Sequence, residues 1–474
     1  MHPAFRRLYP ARSPAIAPEF GLAERLIRSP LGALTQSPWV DPLALIALRR
    51  LFFPLSRMWA AAAAAGTSVP DFLEHSGLTP GAARRERLIV RLLEQSADIR
   101  VLSAQREAEW RAAFFGAASR DGAELTAIES ARLDAAHRAT ADRLSFHPLL
   151  WNGKAHKLRW NIPTEEAVDA AYGRFLAQPE LAYALPDPLP AVERSLAMDG
   201  RNGPVYWLRF ASPSARMGDF AYAKVMEPAA VVDPPTIIIG NGVCMEPEHV
   251  RDMVDASQIM CRMGFRVVEI ASPWHGRRCP TGEFGGERFF ATAPLGQIDL
   301  FTAQALETAV LIDWCRRHFD APVVVSGISL GSFVAQLVAA HSTHWPARLR
   351  PDALLLITHT GTMEEVVFES GLVEGIGIPE ALRKAGWSQA QMLRWAKLMD
   401  PVGPSSVPPG RIVSVLGTAD RVTPVRGGLE LVRRWEIPAE NVFVQRQGHF
   451  GAAVKLVRDD APLRRLQAIV AALR

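Results

Sequence analysis

The sequence lacks the features that would direct it to a membrane span, a nucleic acid or an oxidising compartment. No uncharged apolar run reaches the roughly 18 residues that a membrane-spanning helix needs; the nearest approach, Met58 to Pro70, is short and rich in alanine. The first residues, Met1-His2-Pro3-Ala4-Phe5-Arg6-Arg7, show no apolar core ahead of a small-residue cleavage site, so no secretory signal is expected. Cysteine is scarce, and Cys244, Cys261, Cys279 and Cys315 have no C-x-x-C spacing. That pattern offers neither a zinc site nor a redox pair and fits a reduced, cytoplasmic setting. A net charge of +4 over 474 residues, with no basic patch interleaved with aromatics, gives no case for a nucleic-acid partner. Disorder is excluded by 49% hydrophobic and 22% charged residues, which are globular values. A chain of this length exceeds one ordinary core, so two domains or one large domain with an extension are expected.

What is present centres on Val323 to Gly331, reading V-V-V-S-G-I-S-L-G, followed by a helix-compatible run from Ser332 to Ala340. The pattern is strand, sharp turn, helix. In such a turn the apical residue takes a strained backbone conformation, and glycines two positions either side relieve crowding. Ser329 would therefore stand exposed at a helix N-terminus, with the N–H of Leu330 free to donate to an oxyanion.

Residues 1–145 read as an N-terminal helical extension. Its first 45 residues are proline-rich and loop-like, and helical segments follow at Leu43–Trp59 (interrupted by Pro54), Arg84–Phe115 and Glu124–Leu144. Phe52, Phe53, Leu55, Met58 and Trp59 beside Arg49, Arg50 and Arg57 are expected to pack as core. An interfacial helix making peripheral contact with an anionic membrane is the alternative use of that stripe. Residues 146–204 form a connector with a helix at Thr164–Ala177. Two strands, Val205–Phe210 and Phe220–Met226, then make an edge hairpin. From Thr236 strands and helices alternate, as in a parallel sheet covered on both faces. The strands are Thr236–Gly240, Phe265–Ala271, Val323–Ile328, Ala353–Thr358, Arg411–Leu416 and Asn441–Val444. The expected fold is α/β, with a mostly parallel eight-stranded sheet over residues 205–474. Residues 363–400, with no strand signal, sit where a helical lid would.

A serine nucleophile needs a base, and the base an orienting acid. Asp420 follows the penultimate strand in Gly417-Thr418-Ala419-Asp420, and His449 follows the last in Gln447-Gly448-His449-Phe450-Gly451. The order Ser, Asp, His is that of α/β-hydrolases, and all three fall at carboxyl ends of strands, where open sheets place their sites. The second oxyanion donor is expected in Gly240-Asn241-Gly242-Val243, from the N–H of Val243 or, alternatively, of Gly242.

These elements from about residue 205 onward resemble the α/β-hydrolase superfamily. More narrowly, Pro273-Trp274-His275-Gly276-Arg277-Arg278-Cys279-Pro280, the Gly-Ile-Ser-Leu-Gly elbow and Met399-Asp400-Pro401 resemble the family of alpha/beta hydrolase domain-containing protein eighteen and its bacterial relatives. The resemblance implies Ser329 as nucleophile, His449 as general base and Asp420 as its orienting acid. Those relatives more often read Gly-Ile-Ser-Met-Gly-Gly, whereas Ser332 stands here. His275, Arg277, Trp274 and His359 are further candidates for substrate contact, with structural roles for Arg277 and His359 as the competing reading. Phe368, Leu372, Trp387, Leu393 and Trp395 of the lid could build an apolar acyl pocket.

The expected activity is hydrolysis of a carboxylic ester, of a small molecule or a lipid, without metal or organic cofactor. An acyltransferase or peptidase using the same triad, or a non-catalytic hydrolase-like binding protein, are the alternatives. Oligomeric state is not legible.

Overall fold

In the computed structural model, residue 29 and residues 37–81, 83–151, 155–246 and 256–473 are described. The expected loop before residue 37 lies outside them, as do residues 247–255, where a helix between the first two parallel strands is expected to begin at Glu248 and run to Met263.

The strands are β1 (Glu193–Arg194), β2 (Met198–Gly200), β3 (Gly203–Ala211), β4 (Phe220–Met226), β5 (Thr236–Gly240), β6 (Arg266–Ile270), β7 (Val323–Ile328), β8 (Ala353–Ile357), β9 (Ile412–Gly417) and β10 (Val442–Gln445). All join one sheet in the order β1-β3-β4-β6-β5-β7-β8-β9-β10, with β2 on β3. β4 runs antiparallel to both of its neighbours, and every pair from β6 to β10 is parallel. Counting β3 to β10 as one to eight gives the order 1-2-4-3-5-6-7-8 with the second strand alone reversed. That is the α/β-hydrolase fold. The eight expected strands are joined by β1 and β2 from the connector, which are too short to leave a periodic signal.

The central strands are buried on both faces and alternate between two cores. Ile238, Val325, Leu354 and Leu356 face one, while Ile237, Ile239, Val324, Leu355 and Ile357 face the other. This explains why they read as continuous apolar runs rather than alternating ones.

The principal helices are α1 (Val40–Ala47), α2 (Phe53–Ala65), α3 (Ala83–Phe115), α4 (Gly122–Ala141), α5 (Leu295–His318), α6 (Leu330–His341), α7 (Val425–Arg434) and α8 (His449–Lys455). One turn of π-helix, Leu48–Phe52, joins α1 to α2 immediately before Pro54. A wider turn at this point accommodates a residue that cannot donate a backbone hydrogen bond.

The extension has a small core of its own, including Leu55, Met58, Phe72, Leu93 and Phe146, and it is also anchored on the sheet unit. Arg57 of α2 is fully buried, donates to both carboxylate oxygens of Glu287 at 2.6 Å and reaches the carbonyl of Gly282 at 2.7 Å. Phe53 packs on Phe284 and Phe290, and Trp110 and Phe114 of α3 pack edge-to-face on Trp207 of β3. Phe53, Leu55 and Met58 are therefore interior. The expected core packing of that stripe is what these three residues do, with Phe52 and Trp59 partly buried against the same cores. No helix among the described residues is long and apolar enough to cross a membrane.

The excursion at 363–400 is four short helices, Met363–Glu369, Gly371–Ile376, Ile378–Lys384 and Gln389–Ala396. Asp400 closes its base, accepting the N–H of Met363 at 2.7 Å and the hydroxyl of Thr362. Burial raises the Asp400 carboxyl to about 6.

Candidate active site

Ser329 sits between β7 and α6 at φ 56° and ψ −115°, a left-handed conformation that a side-chain-bearing residue adopts only when its surroundings enforce it. Enforcement comes from close backbone packing. A Cβ on Gly331 would lie 2.1 Å from the carbonyl oxygen of Gly240, and one on Gly327 would lie 2.0 Å from the carbonyl carbon of Gly331. Only glycine fits either place. The Ser329 N–H donates to the Ile357 carbonyl at 3.0 Å, and the Gly331 N–H to the Asn241 carbonyl at 3.1 Å. Ser332 adds a tie that glycine could not supply: its hydroxyl accepts the Ile357 N–H at 2.7 Å and donates to the Gly327 carbonyl at 2.5 Å.

At the same sheet edge, Asp420 Oδ2 lies 2.8 Å from His449 Nδ1. Asp420 Oδ1 accepts the N–H groups of Val422 and Thr423, each at 2.8 Å. The hydroxyl of Thr423 donates to Asp420 Oδ2 at 2.9 Å and lies 3.1 Å from His449 Nδ1. Burial works to raise the Asp420 carboxyl, but the His449 ring and these N–H donors hold it below the ordinary carboxylate value. For His449 burial works downward, while the charge and hydrogen bond of Asp420, with a smaller contribution from Asp41, leave it raised. The pair thus presents an ionised acid orienting an imidazole of enhanced basicity, with Nε2 left for another partner. Among the described residues no hydrogen bond joins Ser329 Oγ to His449.

The loop after β5 lies against Ser329: a Cβ on Gly242 would be 3.5 Å from Ser329 Cβ. Among the described residues the N–H groups of Leu330, Val243 and Gly242 donate to no other backbone group outside the helices and strands. The next N–H, of Cys244, is taken by His275 Nε2 at 3.0 Å, whose Nδ1 lies 2.8 Å from the Pro273 carbonyl. His275 is therefore held as the Nδ1–H tautomer, and burial depresses its pKa. It supports the loop after β5 from behind.

The other candidates for substrate contact are likewise engaged with protein. Arg277 lies over Trp110 and Tyr222 and pairs with Glu107 at 3.2 Å, pinning α3 to the sheet edge. Arg278 is buried between Asp219 and Glu307. Trp274, at φ 62°, is buried, and Arg288 lies over its ring. His359 Nε2 meets Ser414 Oγ at 2.8 Å, and burial lowers its pKa to about 4, which makes it a neutral core histidine. The polar groups of these residues are engaged within the fold, and His275 and Arg277 also line a small surface pocket beside β4 and β6. The lid's aromatic residues differ from expectation in a similar way. Trp395 is fully buried and Trp387 donates to the Pro163 carbonyl at 2.8 Å, so the excursion packs on the connector.

Sequence reasoning missed Asp41. This fully buried carboxylate on α1 accepts the N–H of His449 at 2.5 Å and of Phe450 at 3.1 Å. No local motif marks it. A cavity of about 1090 Å³ opens nearby, walled by Leu48, Leu51, Leu55 and Leu144 together with Asp134, His137, Arg138 and Arg143 of the extension, and by Cys244, Glu246 and Phe450 of the sheet unit. Among the described residues no group of three or more His, Cys, Asp or Glu side chains could hold a metal ion.

No family model matches this chain, and no curated protein matches it. Among solved structures, acetyl xylan esterase 1 from Thermoanaerobacterium sp. JW/SL YS485 is similar at 18% identity, covering 66% of this chain and 96% of that one with a TM-score of 0.43. A cold-adapted esterase from an Arctic intertidal metagenomic library is similar at 14% identity over 61% and 97%, TM-score 0.36. Pyrococcus horikoshii acylaminoacyl peptidase is similar at 11% over 64% and 43%, also at 0.36. These TM-scores are low, and the fold rests on the strand order: the chain is an α/β-hydrolase-fold protein with a serine elbow and a buried Asp–His pair at one sheet edge.

Proposed function

We propose that this protein is a serine hydrolase that cleaves a carboxylic ester carrying a hydrophobic acyl group. The observation that carries the reading is the left-handed Ser329 between β7 and α6, on the same sheet edge as a buried Asp420–His449 pair. His449 Nε2 removes the hydroxyl proton as Ser329 Oγ attacks the ester carbonyl, and Asp420 stabilises the imidazolium. The N–H groups of Leu330 and Val243, or Gly242 in its place, receive the developing oxyanion; each such donor is typically worth about 3 kcal/mol in the transition state. The imidazolium then protonates the departing alkoxide. Water, deprotonated by His449, attacks the acyl-enzyme and releases the acid.

The cavity supports a hydrophobic acyl group because most of its lining is apolar, with Asp134, His137, Arg138, Arg143 and Glu246 supplying its polar part, and because it adjoins the residues after His449 and Val243. The narrower kinship with the alpha/beta hydrolase domain-containing protein eighteen family is part of this proposal. It rests on the Pro273–Pro280 segment and on Met399-Asp400-Pro401. Here those motifs build the loop support at His275 and the lid closure at Asp400.

Covalent labelling with a fluorophosphonate, read by intact mass and peptide mapping, tests the assignment. One adduct at Ser329, lost in Ser329→Ala and His449→Ala, is expected. A folded wild-type chain that takes up no label at Ser329 would overturn it.

A further inference from the structure

We propose that Asp41, carried by the N-terminal helix α1, is a positioning residue for His449, so that the helical extension completes the hydrolase site. This rests on the catalytic reading of Ser329, Asp420 and His449 above.

His449 opens α8 after a three-residue link from the end of β10, and Asp420 fixes only its ring. Nothing in that contact fixes the backbone from which the ring hangs. Asp41 does so from the opposite side. Its two carboxylate oxygens separately accept the N–H of His449, at 2.5 Å, and the N–H of Phe450, at 3.1 Å. Two bonds to consecutive amides define both position and rotation of the segment. The fit is tight: a Cβ on Gly448 would lie 2.1 Å from the Asp41 carboxyl carbon. Glycine at 448 is thus required by the carboxylate that α1 brings in, since its own φ of −86° demands none.

The carboxylate also acts on the ring electrostatically. The charged groups facing His449 are Asp420 and Asp41, and those facing Asp41 are His449 and Asp420. Elsewhere on the elements packed against α1, Arg49, Arg50 and Glu374 are exposed and Lys455 is paired with Asp459 at 3.6 Å. Two carboxylates therefore flank an imidazole that must become imidazolium in the transition state. An ionised Asp41 favours that charge, though burial raises its own pKa.

Asp41→Asn and Gly448→Ala separate the two roles. The asparagine variant would present one acceptor oxygen and one amide to the two N–H groups and would carry no charge. The alanine variant would displace the Asp41 carboxylate but leave its charge. Full-length wild type and both variants, checked for intact thermal unfolding, would be followed by fluorophosphonate labelling rate at Ser329 from pH 5 to 9. Asp41→Asn should label roughly 10- to 100-fold more slowly at its optimum, as expected for a misplaced catalytic group, and its acid limb should move to lower pH. Gly448→Ala should lose rate with the limb unmoved, and Asp41→Glu should recover part of the rate and the limb. If Asp41→Asn folds and labels at the wild-type rate with the wild-type pH dependence, Asp41 has no such role. That result leaves the hydrolase reading standing, whereas a wild type unlabelled at Ser329 removes both.

Discussion

His449 is held from two sides that differ in kind. Asp420, 29 positions earlier, reaches its ring from the loop after β9, while Asp41, 408 positions earlier, reaches its backbone from a helix outside the sheet unit. The first contact belongs to the sheet edge, where parallel strands deliver consecutive loops side by side. The second depends on an extension docked by the buried Arg57–Glu287 pair and by aromatic packing. In the proposed mechanism the sheet edge supplies the reacting groups. The helical cover supplies most of the cavity wall and one of the two grips on His449.

Removing the nucleophile breaks the sheet-edge half outright. Ser329→Ala should lower kcat for a soluble ester by roughly 10⁵- to 10⁶-fold, since triad members fail as a unit, with the thermal midpoint little changed. Arg57→Met attacks the cover. Leaving Glu287 buried without its partner should cost about 3–5 kcal/mol in chemical denaturation, and Arg57→Met with Glu287→Leu should recover much of it. Equal stability of the single variant and wild type would mean that the extension is not held there.

The cavity assignment is sharpened by Leu48→Trp, which narrows the extension's wall. It should lower kcat/KM for long-chain acyl esters by roughly 10- to 100-fold, with acetate esters little affected, because steric misfit in an apolar pocket is worth a few kcal/mol. Equal losses for both would place the acyl group elsewhere.

pH dependence probes both carboxylates together. The base works only when neutral, and its pKa is raised. Activity should therefore fall as the pH drops through a limb lying above the ordinary histidine value of about 6.5. The stability contribution has the opposite sense: it is fully present below the unfolded histidine's pKa and is withdrawn as pH rises through the folded one. A limb at or below the ordinary value would contradict the pairing. The smallest change expected is in Thr423→Val, which takes one hydroxyl from Asp420. A kcat loss of about 3- to 10-fold fits one hydrogen bond of about 1 kcal/mol.

The two regions also differed in how much the sequence disclosed. The strands from Thr236 to Gly417 are buried on both faces, so each left a compact apolar run, and the elbow declared itself because Gly327 is forced by Gly331 within the turn and Gly331 by Gly240 on the neighbouring strand. Asp420 and His449 were legible because strand ends are legible. Strands β1 and β2 were not, being two and three residues long. Asp41 looked like an ordinary acidic residue before Pro42 at a helix start; what gives it meaning is a pair of amides near the other end of the chain. The lid misled for a related reason. Its tryptophans carry an apolar signal that pocket lining and core share, and only the connector helix Glu165–Tyr172, tied to Arg394 through Glu165, shows which applies.

The contact across 408 positions also bears on synthesis. A chain made from its N-terminus exposes α1 and α2 long before β10 and α8 exist, and domains generally fold as units as they emerge. Here the extension can close its own small core early, but its anchor on the sheet unit waits for Glu287 and the partner of Asp41 waits for His449. A nascent chain can hold the nucleophile elbow and most of the sheet, yet its base is seated only when the last segment meets the first. Ester cleavage would then serve as a timer: its onset during translation or refolding marks the moment at which the two ends of the chain find each other.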